Sequence, residues 1–73
     1  MHEIHNYELW FKGEVVNQKI YEMASKNHFT AYRELLFQAT RHSVVGVFEI
    51  VQKNKNKLIC KRKIILENAI FDV

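Results

Sequence analysis

The sequence predicts one small α+β domain, and three observations lead to this fold class. Its 73 residues suffice for one hydrophobic core, because a domain near this size buries only about 60% of its unfolded surface. Strand-favouring residues dominate both ends of the chain, and a helical period lies between them. Apolar residues make up 48% and charged residues 26%, a composition typical of folded globular proteins. We therefore predict that residues 1–73 form a single domain.

The first segment predicts a β-hairpin. Residues 4–11 are rich in aromatic and strand-favouring side chains, Lys12-Gly13 supplies a turn, and residues 14–16 begin the return strand. Tyr7 and Phe11 are expected on one strand face and Trp10 on the other, because successive side chains alternate. Burial of all three rings then requires cover on both faces.

Residues 17–41 show a helical period. Apolar residues recur there at three- and four-residue steps, as a buried helix stripe requires; they are Ile20, Met23, Ala24, Ala31, Tyr32, Leu35, Leu36 and Ala39. Residues 25–30 interrupt the period with cap-favouring side chains, and Thr30 is a candidate start of a second helix. Two helices are the preferred interpretation. The alternative is one kinked helix of about 25 residues, nearly 40 Å long, which would imply a dimer. His28 and His42 are expected to border a helix start and a helix end.

Residues 44–51 and 58–66 predict a second, basic antiparallel hairpin around the polar residues 53–57. A turn centred on Lys55 would place Glu49 opposite Lys61 and near Lys63 on one face. The other face would be apolar, with Phe48, Ile50, Leu58, Cys60 and Ile64, and with Arg62 as its one misfit. Residues 69–73 are apolar and predict a short C-terminal edge strand or a segment that docks onto a partner chain.

The single cysteine excludes an intramolecular disulfide and favours a reducing compartment. Its aliphatic neighbours predict that Cys60 is buried. The chain lacks the charged and apolar pattern of a leader peptide, and it has no apolar run of the roughly 18 residues that span a membrane. We therefore expect a cytoplasmic protein with no membrane partner.

The sequence offers no catalytic constellation, so we expect a protein that is not an enzyme and that needs no cofactor. His2 and His5 are three residues apart, which on a strand directs them to opposite faces and prevents them from binding one metal ion together. The two glycines cannot form a phosphate-binding loop, and no nucleophile is spaced with a histidine and an acid.

Two non-enzymatic functions remain. The preferred one is a small protein-binding regulator or inhibitor, self-associating as a homodimer, because strands that are apolar on both faces need cover that a short chain cannot supply. Its candidate binding residues are Trp10, Phe11, Val45, Val47 and Val51. This hypothesis predicts that partner binding tolerates salt and is lost when Trp10 becomes Ala.

The alternative is a nucleic-acid-binding regulator that uses the basic hairpin, since the net charge of +3 is concentrated in the second half of the chain. The predicted order of two helices and a hairpin is similar to that of a winged-helix module. Its candidate contacts are Arg33, Arg41, Lys53, Lys55, Lys57, Lys61 and Lys63. Small basic proteins of this kind are typical of bacteriophages and mobile elements, and residues 7–16 are similar in character to such proteins, without a motif that indicates a family.

Overall fold

The computed structural model of the protein describes residues 3–67, which form four antiparallel strands and one helix. The elements are β1 (His5–Lys12), β2 (Asn17–Ser25), α1 (His28–His42), β3 (Gly46–Asn54) and β4 (Lys57–Leu66). The strand order in the sheet is β2-β1-β3-β4. The predicted α+β class is confirmed. The edge strand predicted at residues 69–73 lies outside the described residues.

Residues 17–25 form a strand, so both the two-helix prediction and the single long helix are wrong. A β-bulge explains the error. Tyr21 pairs with Leu9 and Lys19 pairs with Trp10, which leaves Ile20 as an extra residue in β2. As a result, Ile20 and Met23 both pack against the core although they are three positions apart. A three-residue spacing between buried positions is normally a sign of a helix, and here the bulge produces it in a strand.

The N-terminal hairpin exists, but its return strand starts later than predicted. Residues 13–16 form the connection, which is closed by a hydrogen bond of 3.0 Å from the Gly13 N–H to the Val16 carbonyl. Val15 and Val16 are largely exposed in this loop. Their β-branched side chains suggested a strand that begins only at Asn17.

The helix begins before Thr30 because Asn27 caps it. The Asn27 side-chain oxygen accepts hydrogen bonds from the backbone N–H groups of Phe29 and Thr30, at 2.8 and 3.4 Å. At the other end, the Ser43 N–H donates to the carbonyl of Ala39. The prediction that His28 and His42 bound a helix is confirmed.

The core lies between α1 and one face of the sheet. Ala31, Leu35 and Ala39 lie at four-residue steps along the helix and are fully buried. They pack against a row of buried strand residues, namely Tyr7, Leu9, Phe48, Ile50 and Ile64. The helix packs mainly over β2 and β1 and makes fewer contacts with β3. It therefore covers one face of the sheet and leaves the helix-side surface of β4 accessible.

A second bulge, in β4, changes the predicted register of the basic hairpin. Ile50 pairs with Arg62 and Val51 pairs with Cys60, so Lys61 is the extra residue. Beyond the bulge, Ile64 shares a face with Phe48 as predicted, and Arg62 lies on that face as the predicted misfit. Between the bulge and the turn, the faces are reversed.

Two predictions fail because of this change of register. Leu58 and Cys60 lie on the face opposite the helix, and Cys60 is an exposed free thiol instead of a buried one. Glu49 pairs with Lys63 and not with Lys61. The cross-strand pairing of opposite charges was expected correctly, but with the wrong lysine.

The turn between β3 and β4 contains a strained lysine. Lys55 adopts φ 58°, in the left-handed region, which costs a residue with a Cβ about 1–2 kcal/mol. Replacement by Gly is expected to raise the free energy of unfolding by roughly 0.5–1 kcal/mol, because Gly removes the strain at some cost in chain entropy. Urea denaturation followed by circular dichroism measures the change. The matched control is Lys57→Gly, which removes the same charge from a strand position and should destabilise the protein.

Candidate binding surfaces

The side of the sheet opposite α1 is called here the open face. Strand pairing arranges it in four rows across β2, β1, β3 and β4, which are Ala24–Asn6–Lys53–Leu58, Glu22–Glu8–Val51–Cys60, Lys19–Trp10–Glu49–Lys63 and Asn17–Lys12–Val47–Ile65. No helix or strand among residues 3–67 covers this face.

Trp10 lies near the middle of the open face and is held by its neighbours. Its indole N–H donates a hydrogen bond of 2.9 Å to a carboxylate oxygen of Glu8, two residues earlier on the same face. The Lys12 ammonium lies 5.7 Å from the ring centroid, within the range of a cation–π interaction. The half-buried ring therefore presents a fixed apolar surface.

Charges of both signs alternate around Trp10. Glu8 pairs directly with Glu22 across β1 and β2, an arrangement that is unfavourable alone. The Lys19 ammonium offsets it, since it lies 3.9 Å from Glu8 and 3.4 Å from Glu22. Lys12 similarly lies 3.7 Å from Glu49. The open face thus contains four lysines and three glutamates that nearly balance one another.

The apolar part of the open face lies toward β4. Val51 is almost fully buried beneath its neighbours, whereas Leu58 is 53% and Ile65 is 62% exposed. Val47, which pairs with Ile65, is partly exposed. Together these side chains form an apolar border beside Trp10. Its continuous apolar area is larger than the area that single, scattered surface residues would expose.

A second surface is the α1–β4 groove, about 300 Å³ in volume, on the helix side of the sheet. It exists because the helix lies over β2 and β1 and not over β4. Its apolar lining includes buried Ile50 and Ile64 and the exposed side chains of Phe29 and Leu36. Arg33 and Arg62 supply the charge, and no carboxylate among the described residues lines the groove.

The groove adjoins a smaller polar cleft of about 180 Å³, and the two share Tyr32. The cleft brings together His5, Tyr7, His28, Gln52 and Lys61, residues that are far apart in the sequence. A nitrogen of the His5 ring lies 3.1 Å from the Gln52 side-chain amide. Sequence reasoning missed this cluster, because it requires the start of β1, the end of β3, the bulge of β4 and the start of the helix to meet.

The candidate protein-binding residues divide between different surfaces. Trp10, Val47 and Val51 lie on the open face. Phe11 lies on the helix side, where its ring packs 5.2 Å from that of Phe48 and 5.6 Å from that of His42. Val45 is exposed in the loop before β3.

The candidate nucleic-acid-binding residues do not form one surface. Lys53, Lys55 and Lys57 meet at the tip of the β3–β4 hairpin, and Lys63 lies on the open face. Arg33 and Lys61 lie on the helix side. Arg41 lies in the last turn of α1, with its guanidinium 5.7 Å from the Phe37 ring centroid. These charges are therefore divided among the hairpin tip, both faces of the sheet and the helix.

Residues 3–67 contain no cluster of three or more His, Cys, Asp or Glu side chains that could hold a metal ion. Burial, and secondarily the nearby Tyr32, raises the pKa of the Tyr7 phenol above its usual value of 10.0, so Tyr7 stays neutral at physiological pH. Over the same residues, α1 is too short and too polar to cross a membrane.

Comparison of the chain with protein-family models, with curated proteins and with solved structures finds no match. The fold and its two uncovered surfaces are therefore the basis for any functional assignment.

Proposed function

We propose that this protein is a non-enzymatic protein-binding regulator that self-associates through its open face. The observation that carries the proposal is the fixed, half-buried Trp10 beside the apolar border of Val47, Val51 and Ile65, on a face that no described element covers. Large aromatic side chains that are held in place are typical anchors of protein interfaces.

A second copy of the chain is the partner that the charges favour. Positive and negative side chains nearly balance across the open face, so a strongly acidic or strongly basic partner would meet as many repulsive as attractive groups. A two-fold axis sets the same face against itself, and a mixture of both signs can then pair with its own complement.

The size of the face predicts a weak dimer. Four strands about 4.8 Å apart and four rows about 6.7 Å apart give roughly 500 Å² per copy. The total of about 1,000 Å² lies at the lower limit for specific interfaces. We therefore expect dissociation in the micromolar range.

The nucleic-acid alternative rests on the hairpin tip, where three lysines meet. The remaining candidate cations lie on the helix and on both faces of the sheet, and Lys63 of the open face pairs across the strands with Glu49. A continuous strip of unpaired cations would suit a phosphate backbone better. A regulator that acts through protein contacts is consequently the preferred function.

Replacement of Ile65 by Lys is expected to weaken dimerisation at least about tenfold, because a two-fold interface meets the new charge twice. Sedimentation velocity over a concentration series measures this effect. Trp10 is the only tryptophan, so its fluorescence gives a second readout: the emission should shift to longer wavelength as the wild-type protein is diluted.

The matched control is Phe37→Lys, which adds the same charge at a position 54% exposed on α1. It should sediment like the wild type. If the wild type is monomeric at high micromolar concentration, or if both variants change its association equally, the open face is not the interface. Binding of random DNA by the wild type, with a steep salt dependence that Lys55→Gln reduces, would support the alternative function instead.

A further inference from the structure

We propose that the α1–β4 groove and the free edge of β4 together bind an extended acidic segment of another protein, which adds to the sheet as a fifth strand. This surface is separate from the open face, and the inference does not depend on self-association. Three features carry it, namely an available strand edge, an apolar floor beside that edge, and positive charge without a compensating carboxylate.

The strand edge supplies backbone hydrogen-bonding groups. Among residues 3–67, β4 pairs only with β3, so one side of its ten residues presents N–H and C=O groups to the surroundings. An added strand would satisfy these groups with its own backbone, which gives affinity without a particular sequence.

The groove supplies side-chain selectivity on the helix side of such a strand. Ile50 and Ile64 form a buried floor, and Phe29 and Leu36 of α1 form the opposite wall with 69% and 44% of their surface exposed. Alternate side chains of an added strand point to this side. Apolar residues at some of those positions would cover the walls and floor of the groove, and the others remain available for charged side chains.

Charge selects an acidic segment. The bulge in β4 turns two consecutive residues toward the helix side, with Lys61 in the polar cleft and Arg62 in the groove. Arg33 faces the same groove from the helix. No carboxylate of the described residues lines the groove or the cleft, so carboxylates of the ligand would be the partners of these cations.

The same charges disfavour a second copy of β4 at this edge. The midpoint of Lys57–Leu66 falls between Lys61 and Arg62, so a two-fold antiparallel pairing would place these cations opposite the same cations of the other copy. A nucleic acid fits less well than a peptide, because aliphatic side chains dominate the floor and the edge offers backbone groups that match another backbone.

The test uses fluorescence anisotropy of the full chain with a fluorescein-labelled peptide of about ten residues. Every second residue of the peptide is Thr, and the positions between are alternately Val and Glu, so that apolar and acidic side chains lie on the same side of the added strand. The acidic peptide is expected to bind, and the peptide with Lys in place of Glu is not. Arg33→Glu should weaken binding about tenfold, since it replaces an attraction by a repulsion. The matched control is Arg41→Glu, the same change on the same helix outside the groove, which should bind like the wild type.

Methylation of the peptide backbone tests strand addition itself. Methyl groups on one alternate set of peptide nitrogens should abolish binding, and those on the other set should not, because only one set faces β4. Equal affinity of both methylated peptides, or equal loss in the Arg33 and Arg41 variants, would overturn the proposal. Preference for a single-stranded oligonucleotide over the acidic peptide would also overturn it.

Two further variants distinguish an external peptide in the groove from self-association and from occupation of the groove by the chain itself. Trp10→Ala removes the aromatic anchor of the open face on β1, two strands away from the edge of β4. This variant should bind the acidic peptide with unchanged affinity, so that failure of the dimer and failure of the groove are distinguishable. Peptide binding that occurs only in an Ile70→Ser/Phe71→Ser variant would assign the groove to the chain itself and would contradict an external partner.

Discussion

Replacement of Phe48 by Ala is expected to lower the free energy of unfolding by about 3–5 kcal/mol. Phe48 is fully buried on the central strand β3, between Phe11 of β1 and Ile64 of β4. Its ring packs against those of Phe11 and His42 at centroid distances of 5.2 and 5.9 Å. The substitution therefore leaves a cavity between the sheet and the C-terminal end of α1. A domain with so small a core has only about 3–5 kcal/mol in total. The variant should therefore be largely unfolded, which circular dichroism and urea denaturation measure.

The matched control for Phe48→Ala is Val47→Ala, one residue away on the open face. Its side chain is partly exposed, so its loss should cost less than about 1 kcal/mol when measured at concentrations where the protein is monomeric. A Phe48→Ala variant that remains as stable as Val47→Ala would show that the core does not lie between α1 and this face.

The sequence predicted elements whose signals are local. The cap-favouring residues 25–30 and the helix end at His42 were recognisable from side-chain chemistry, although the candidate start at Thr30 lies two residues too late. The two hairpins follow from their aromatic and β-branched composition. The division of Trp10 from Tyr7 and Phe11 between two faces follows from strand alternation alone. The open face, which carries the proposed function, was for this reason predictable in part.

Bulges account for most of what the sequence did not predict. A bulge inserts one residue into a strand and shifts every later side chain to the other face. At Ile20 it turned a strand pattern into a helical one, and at Lys61 it exchanged the faces of Cys60 and Leu58. Alternation and composition contain no signal for the insertion, because the same letters fit a regular strand in a different register.

The α1–β4 groove was unpredictable for a different reason. It depends on the lateral position of the helix over β2 and β1, which is determined by packing of the whole core. Small Ala31 and Ala39 allow close approach of α1 to the sheet, but they do not specify which strands it covers. Arg62 was the single indication, since a cation on an apolar face requires an accessible border such as the groove provides.

Replacement of Gly46 by Ala is expected to lower the free energy of unfolding by about 2–4 kcal/mol, for two reasons that add. Gly46 has φ +145°, a conformation that residues with a Cβ rarely adopt. The new methyl group would also lie 2.6 Å from Cε1 of the Phe11 ring, closer than real contacts allow. The ring cannot easily move aside, because it packs against Phe48 and His42. Thermal and urea denaturation measure the loss.

A double-mutant cycle with Phe11→Leu separates the two causes, because Leu lacks the atom that the new methyl group would meet. In the Phe11→Leu background, Gly46→Ala should cost only the backbone strain, roughly 1–2 kcal/mol, so the two substitutions should couple favourably. Purely additive losses would mean that the ring does not confine Gly46 and that backbone strain is the whole effect. Retention of wild-type stability by Gly46→Ala alone would contradict both causes, and with them the close packing of Phe11 between the start of β3 and the end of α1.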